Sequence, residues 1–338
     1  NVRTTQRVES RNVSCLGSAL EFDINTWNQA ATAVKRDTEC WQDPPFWAGI
    51  LVFSECNERG TRMKTLIALL AAIVCIAAPI DRAVAQSDDA QKAVLITGAS
   101  TGIGRLTAER LAEAGYFVYA GARKQADLDA LNAIDNIMAV RIDVTKQEEI
   151  DAAVELVQSE GRGLWGLVNN AGVNHIDPLI EFEDWTMDFV FDVNVFGVVR
   201  VTKAFAPLII ESQGRIVNIS SISGVLAGGL TGYGFYFMSK HAIEAFSDQL
   251  SWELMKFGVR VAAVEPGNFA SSIGTTRCNR MLSERDDRNY QFYAEEMNEY
   301  YDGCAEWLAE GGVSGSPPPV MVADAIQHAL FAASPREH

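Results

Sequence analysis

Basic side chains are scarce: 28 Lys and Arg stand against 44 Asp and Glu, a formal charge of −16. Residues 1–85 hold 9 of each sign, so the whole imbalance, 19 basic against 35 acidic, falls on residues 86–338. So negative a surface repels phosphate backbones, and no basic stripe interrupts it, which argues against a nucleic-acid partner. Cysteine is uneven too. Cys15, Cys40, Cys56 and Cys75 precede residue 86, only Cys278 and Cys304 follow it, and no spacing suits a metal, so none is expected. The apolar run Leu66–Ala78 is shorter than the roughly 20 residues that cross a bilayer as a helix. Methionine is missing from residues 1–62, which show neither helical nor strand periodicity.

From Met63 the chain reads Met63-Lys64-Thr65, the apolar run, Pro79, and Ala83-Val84-Ala85 before Gln86. A positive start, a short apolar core and small residues at a cleavage point make 63–85 an expected secretory signal peptide, with an uncleaved membrane anchor through 64–80 as the alternative. An exported protein, periplasmic or secreted, is therefore expected, membrane-anchored in the alternative. Residues 1–62 are expected to be upstream sequence read in frame ahead of a start at Met63, or a disordered extension.

From Ala93 the pattern is regular. A short apolar strand, Ala93–Thr97, runs into Gly98-Ala99-Ser100-Thr101-Gly102-Ile103-Gly104 and then a helix to Gly115. Strand, glycine turn and helix N-terminus together form a pyrophosphate site: the glycines allow close backbone approach, and the helix offers free N–H groups and partial positive charge. Strands over 116–121, 137–142 and 164–169 alternate with helices from Gln125 and over 146–160. That alternation predicts an α/β fold, a doubly wound parallel sheet in a three-layer α/β/α single domain spanning 86–338. Ligands bind beyond the carboxyl ends of such strands. There lie Arg123 and Lys124, then Asp143-Val144, then Asn169-Asn170-Ala171-Gly172. An acid after the second strand would select NAD; Gly121-Ala122-Arg123-Lys124 offers cations instead, so NADP is expected over NAD, unless Arg123 stacks on the adenine.

A strand over 215–220 leads into Ser220-Ser221-Ile222-Ser223-Gly224, and Tyr236 and Lys240 lie four apart near the start of a long amphipathic helix ending near Lys256. With the glycine turn, Asp143, the Asn-Asn-Ala-Gly run, Asn194 in Asp192-Val193-Asn194-Val195, and Pro266-Gly267, residues 93 to about 334 resemble the classical short-chain dehydrogenase/reductase family. The wording of 239–246 and 264–269 is similar to its retinol, 17β-hydroxysteroid and 3-hydroxybutyrate dehydrogenase subgroup. The resemblance implies a Rossmann-like fold and NAD(P)-dependent hydride transfer between an alcohol and a carbonyl. Tyr236 would be the general acid/base, its pKa brought down by Lys240 and the nicotinamide charge; Lys240 would also hold the nicotinamide ribose. Ser221 would bond the substrate oxygen, Asn194 would position a water, and Asp143 would contact the adenine. It further implies a homodimer or homotetramer. A cofactor-binding redox sensor or scaffold without turnover is the alternative.

The sequence departs from the pattern in places. Gly228-Gly229-Leu230-Thr231-Gly232 lengthens the loop between Ser221 and Tyr236, leaving Ser220 and Ser223 as rival hydroxyls. Asn194 could instead cap a helix kink. Cys278 and Cys304 form either a disulfide or two free thiols, and His175 lines the pocket or faces solvent. Residues 267–312, rich in aromatics, correspond to the family's substrate lid; they either meet a sizeable apolar substrate or pack on a core of their own. The family's seventh, edge strand is missing after the helix over 320–332, which reads as a truncation.

Overall fold

The computed structural model describes residues 91–312 and 316–335. The signal-peptide, anchor and extension readings for residues 1–85 lie outside them. Six parallel strands, β1 (Ala93–Ile96), β2 (Phe117–Ala122), β3 (Ile137–Arg141), β4 (Gly166–Asn169), β5 (Arg215–Ile219) and β6 (Arg260–Val264), form one sheet in the order β3-β2-β1-β4-β5-β6. The reversal of order between β1 and β4 opens the crevice where open α/β sheets bind ligands. This is the expected doubly wound, Rossmann-like arrangement. Among the described residues β6 pairs only with β5, and no seventh strand follows.

The strands are short aliphatic runs because both faces are covered. In β1 all four residues are buried; Ala93 and Leu95 join one core, with Tyr119, Leu167 and Phe205, while Val94 and Ile96 join the other, with Leu111, Val118 and Ile326. Period-two alternation thus feeds two cores. Helices α1 (Gly102–Glu113), α2 (Gln125–Asn132), α3 (Gln147–Ser159), α4 (Asp184–Phe191), α5 (Val198–Glu211), α6 (Gly234–Met255) and α9 (Val320–Phe331) surround the sheet. Most boundaries lie within a residue or two of those expected. The long helix begins at Gly234, two residues ahead of Tyr236.

A π-helical turn, Asp192–Gly197, joins α4 to α5. The run Asp184–Glu211 is long and apolar enough by composition to cross a membrane, but half of its most apolar stretch is buried within the protein. Between β6 and α9 the chain forms α7 (Ile273–Glu284) and α8 (Ala294–Ala309), linked by the 3-10 turn Arg285–Asp287. These helices build a third core from Ile176, Cys278, Met281, Met297, Tyr301 and Cys304, flanked by Tyr233, Tyr290, Tyr293, Tyr300 and Trp307. Cys278 and Cys304 are joined in a disulfide, their Cα atoms 5.1 Å apart.

Candidate active site

The glycine turn is stitched to the end of β4 from both sides. Thr97 Oγ1 accepts from the backbone N–H of Asn170 (3.0 Å) and Ala171 (3.1 Å), while Asn170 Nδ2 donates to the carbonyls of Thr97 (2.9 Å) and Gly98 (3.0 Å). Gly98 has φ of 65°, and a Cβ there would stand 2.9 Å from Ala171 Cα, so only glycine fits. At Gly104 a Cβ would reach within 2.4 Å of Asn170 Nδ2. No acid occupies the first turn of α1, whose N-terminal amides have no partner within the helix.

Above this turn lies a cavity of about 450 Å³, within the range of small-molecule and cofactor sites. Its wall includes Gly98, Ser100, Thr101, Gly102 and Ile103 from the turn, Arg123, Asp143 and Val144 from the next two loops, and Asn170, Ala171 and Gly172. Ser221, Tyr236, Lys240, Pro266 and Gly267 also lie on it. Of the residues expected at the site, Gly104, Asn169 and Asn194 are not on the wall. Asn169 is a correction: its amide faces into the protein and donates to Thr202 Oγ1 (2.9 Å) and Asn218 Oδ1 (2.8 Å). Gly104 lies beneath the turn, where it permits close packing.

Arg123 is exposed, its guanidinium 3.8 Å from Asp143. Burial pushes the Asp143 carboxyl up, but hydrogen bonds from the Thr145 backbone and hydroxyl, with the charges of Arg123 and Lys146, bring it below the usual carboxylate range. Glycine turn, helix N-terminus, cations and acid follow one another along a single trough, a donor set that fits a dinucleotide.

At the far side, the Tyr236 phenol and the Ser221 hydroxyl both face the cavity, and Ser221 favours the ionised phenol. Ser221 Oγ also reaches Pro266 O at 3.4 Å and accepts from Ser223 N at 3.1 Å. Of the rival hydroxyls, Ser220 also lies on the wall, but its Oγ donates back to Lys240 O at 3.4 Å, while Ser223 is off the wall and contributes its backbone N–H. Lys240 is buried, its Nζ donating to Ile219 O at 2.8 Å and lying 5.7 Å from the Tyr236 ring centre. Burial lowers its pKa to about 8, against the pull of Glu244. With no nicotinamide charge beside it, burial dominates at Tyr236 and pushes the phenol up, outweighing the influence of Ser221. The neutral phenol is therefore the resident form.

Asn194 occupies the π-turn. Its Oδ1 accepts from Val173 N (2.8 Å), and its Nδ2 donates to Val173 O (2.9 Å) and Ser239 Oγ (3.1 Å). π-Turns inside helices concentrate at functional sites. Here the widened turn brings an amide against the loop after β4, and a Cβ on Gly172 would lie 3.6 Å from Asn194 Oδ1 and 3.8 Å from Lys240 Nζ.

Sequence reasoning missed several residues that shape the site. Asn174, Phe189, Ser271, Ser272, Thr276 and Arg280 line the cavity, and Thr101 Oγ1 meets Ser272 Oγ at 2.5 Å. His175 is buried, not solvent-facing: its ring packs edge-on to Trp185, and burial, then Arg280, Arg288 and Arg277, lower its pKa to about 3. Asp177, fully buried, takes Thr186 Oγ1 (2.8 Å), Arg288 and Tyr290 OH (3.1 Å). Glu181 accepts the backbone N–H groups of Gln291, Phe292 and Tyr293 at 2.5, 3.0 and 3.0 Å, just ahead of α8. Tyr290, Tyr293, Tyr300, Tyr301 and Trp307 pack in the third core and Phe292 is exposed; none of the six lines the cavity.

The short chain dehydrogenase family model matches residues 92–281. The chain is 39% identical to the mitochondrial D-beta-hydroxybutyrate dehydrogenase of Bos taurus over 72% of this chain and 75% of that protein. Identity is 37% to the 17-beta-hydroxysteroid dehydrogenase type 6 of Homo sapiens (72% and 78% covered) and 35% to retinol dehydrogenase 7 of Mus musculus (72% and 78%). Among solved structures, a short-chain dehydrogenase from Streptomyces avermitilis superposes with a TM-score of 0.59 at 31% identity, covering 73% of this chain and 86% of that one. A 3-ketoacyl-(acyl-carrier-protein) reductase from Brucella melitensis, complexed with NADH, gives 0.52 at 30% (55% and 78%).

The fold and trough define a dinucleotide-dependent oxidoreductase, and the chain belongs to the short-chain dehydrogenase family. It is an NAD(P)-dependent enzyme that interconverts an alcohol and a carbonyl in a small-molecule substrate.

Proposed function

We propose that Tyr236 is the general acid/base of this reaction. The observation that carries it is the convergence of Tyr236, Ser221 and Lys240 on one cavity wall, with Lys240 one helical turn from Tyr236 on the same face and its Nζ 5.7 Å from the ring centre. NAD(P), when bound, supplies or takes up the hydride. The neutral phenol suits the reductive direction, in which it donates its proton to the substrate oxygen as negative charge develops there. Ser221 holds the same oxygen. Lys240, protonated below about pH 8, binds the ribose and favours the tyrosinate left after proton transfer. Asn194 acts through position, its side chain holding the Val173 loop and a water for proton return. Bound NAD(P) would be held by the amides of Ser100–Gly104 at its pyrophosphate and by Asp143 and Val144 at its adenine, with Asn170–Gly172, Pro266 and Gly267 lining the rest of its trough.

NADP is the proposed preference, supported by Arg123 and Lys124 on the wall where an NAD-selective enzyme would place an acid. A homo-oligomer is supported by the exposed Trp252, Met255 and Phe257 around the end of α6. Export rests on residues 63–85, and N-terminal sequencing of the mature protein is expected to begin at Gln86.

The test of the central reading is Tyr236→Phe. Turnover of a ketone panel is expected to fall on the order of 10²–10⁴-fold while NADPH fluorescence titration still reports binding. Unchanged turnover would remove Tyr236 from the role.

A further inference from the structure

The cavity has two ends, and α7 runs along its wall from one toward the other. At its start Ser272 touches Thr101 of the glycine turn. Ile273 and Thr276 follow on the wall, then Arg280, about 10 Å further along the helix from Ile273. Arg280 is therefore carried away from the pyrophosphate end, toward the loop after β4. Its guanidinium carbon lies 3.9 Å from the centre of the Phe189 ring, and its charge acts on His175 and Glu284. Stacking on an aromatic face fixes the plane of a guanidinium and leaves its N–H edges for a partner.

No carboxylate among the described residues lies within 4.0 Å of Arg280. Glu284, one turn further on, has its carboxylate 3.6 Å from His175 Nε2. His175, with a pKa of about 3, brings no positive charge of its own near neutral pH. Asn174, beside it, has a buried side-chain oxygen with no hydrogen-bond partner and also lines the cavity. A half turn of that amide would present two N–H donors in its place. Thr276, one turn before Arg280 on the same helix face, adds a hydroxyl. In a chain this acidic, an oriented cation with no carboxylate within 4.0 Å among the described residues, set in the cavity wall beside two neutral hydrogen-bonding groups, has the chemistry of an anion subsite.

We propose that Arg280, assisted by Thr276 and Asn174, binds a carboxylate of the substrate, so that the enzyme acts on a hydroxy acid and its oxo acid in preference to a neutral alcohol and ketone. The assignment deepens the function proposed above and rests on it. Arg280 is a specificity residue: it touches the acid group and takes no part in proton or hydride transfer.

The experiment uses the full chain and three matched pairs: 3-oxobutanoate, 4-oxopentanoate and 5-oxohexanoate, each with its methyl ester. Wild type is expected to favour at least one acid over its ester in kcat/KM. Arg280→Met is expected to lower that acid-to-ester ratio on the order of 10- to 100-fold, mainly through KM, and Arg280→Lys to recover part of it. NADPH affinity, read in parallel by fluorescence, is expected to be the same in all three proteins. A ratio that Arg280→Met leaves unmoved overturns the proposal. So does an equal fall for acid and ester together with weaker NADPH binding, which would place Arg280 on the cofactor. If wild type binds NADPH but turns over none of the six compounds, binding of pentanoate against pentanamide to the NADPH complex decides. Carboxylate-selective binding lost in Arg280→Met sustains the subsite while the reductase reading loses its support, and absence of that selectivity overturns the subsite as well.

Discussion

The nucleotide-binding half and the segment over the cavity are held together by different means. From β1 to β4 the joints are backbone hydrogen bonds, aliphatic packing on both sheet faces, and glycines that let one main chain touch another. Such joints carry few titratable groups and no disulfide. The α7–α8 segment is instead fastened by charge and by sulfur: Arg288 on Asp177, Glu181 on three backbone amides, and Cys278 bonded to Cys304. The cofactor trough should therefore tolerate changes in pH and redox potential that loosen the segment above it. Stability and substrate handling separate along that line.

Arg288→Met tests the contrast most severely. It strips Asp177, fully buried, of its cation and is expected to cost about 3–5 kcal/mol, read as a lowered midpoint of thermal unfolding. NADPH affinity measured at low temperature should change little. Next in size is Cys278→Ser, or reduction of the disulfide. The bridged residues are 26 apart in sequence, and losing the bridge should cost about 3 kcal/mol, seen as faster amide exchange in 273–309 than in β1–β4.

Acid comes third. His175 titrates near 3 in the folded chain and near 6.5 unfolded, so between those values the unfolded chain binds the extra proton. Stability is full above 6.5 and falls with pH, by about 2 kcal/mol at pH 5. A His175→Gln variant should flatten that limb in urea titrations recorded from pH 7 to 5. The smallest effect belongs to the nucleotide half: Arg123→Asp is expected to shift NADPH-over-NADH preference by roughly tenfold, about 1.4 kcal/mol, in fluorescence-derived Kd values, with no change in unfolding midpoint.

What the sequence made legible followed the same division. The glycine turn, the Asn-Asn-Ala-Gly run and the Tyr236–Lys240 pair are local patterns, each set by a turn geometry or a helix face. Ser221 could be singled out from Ser220 and Ser223 only once the strand end was fixed in space. Asn169 misled because a polar residue at a strand's carboxyl end normally faces the ligand; here an Asn218–Thr202 pair inside the protein captures its amide. The Asp177–Arg288 and Glu181–Gln291 contacts join residues about 110 positions apart and leave no periodic trace. Burial of His175 was hidden for the same reason, since Glu284 and the rest of α7 come to it from about 100 positions away.

That separation bears on the order of assembly. Contacts between residues 177–181 and 288–293 close loops of about 110 residues, and such long-range closures come after local ones because the chain must first lose the freedom of everything between. The glycine turn, closed onto the end of β4 by contacts of shorter span, thus forms before the α7–α8 segment docks. Fastenings made after the rate-limiting barrier slow unfolding without hastening folding. Glu181 and Arg288 consequently govern how long the folded enzyme lasts, whereas the glycine turn and β1 govern how fast it forms.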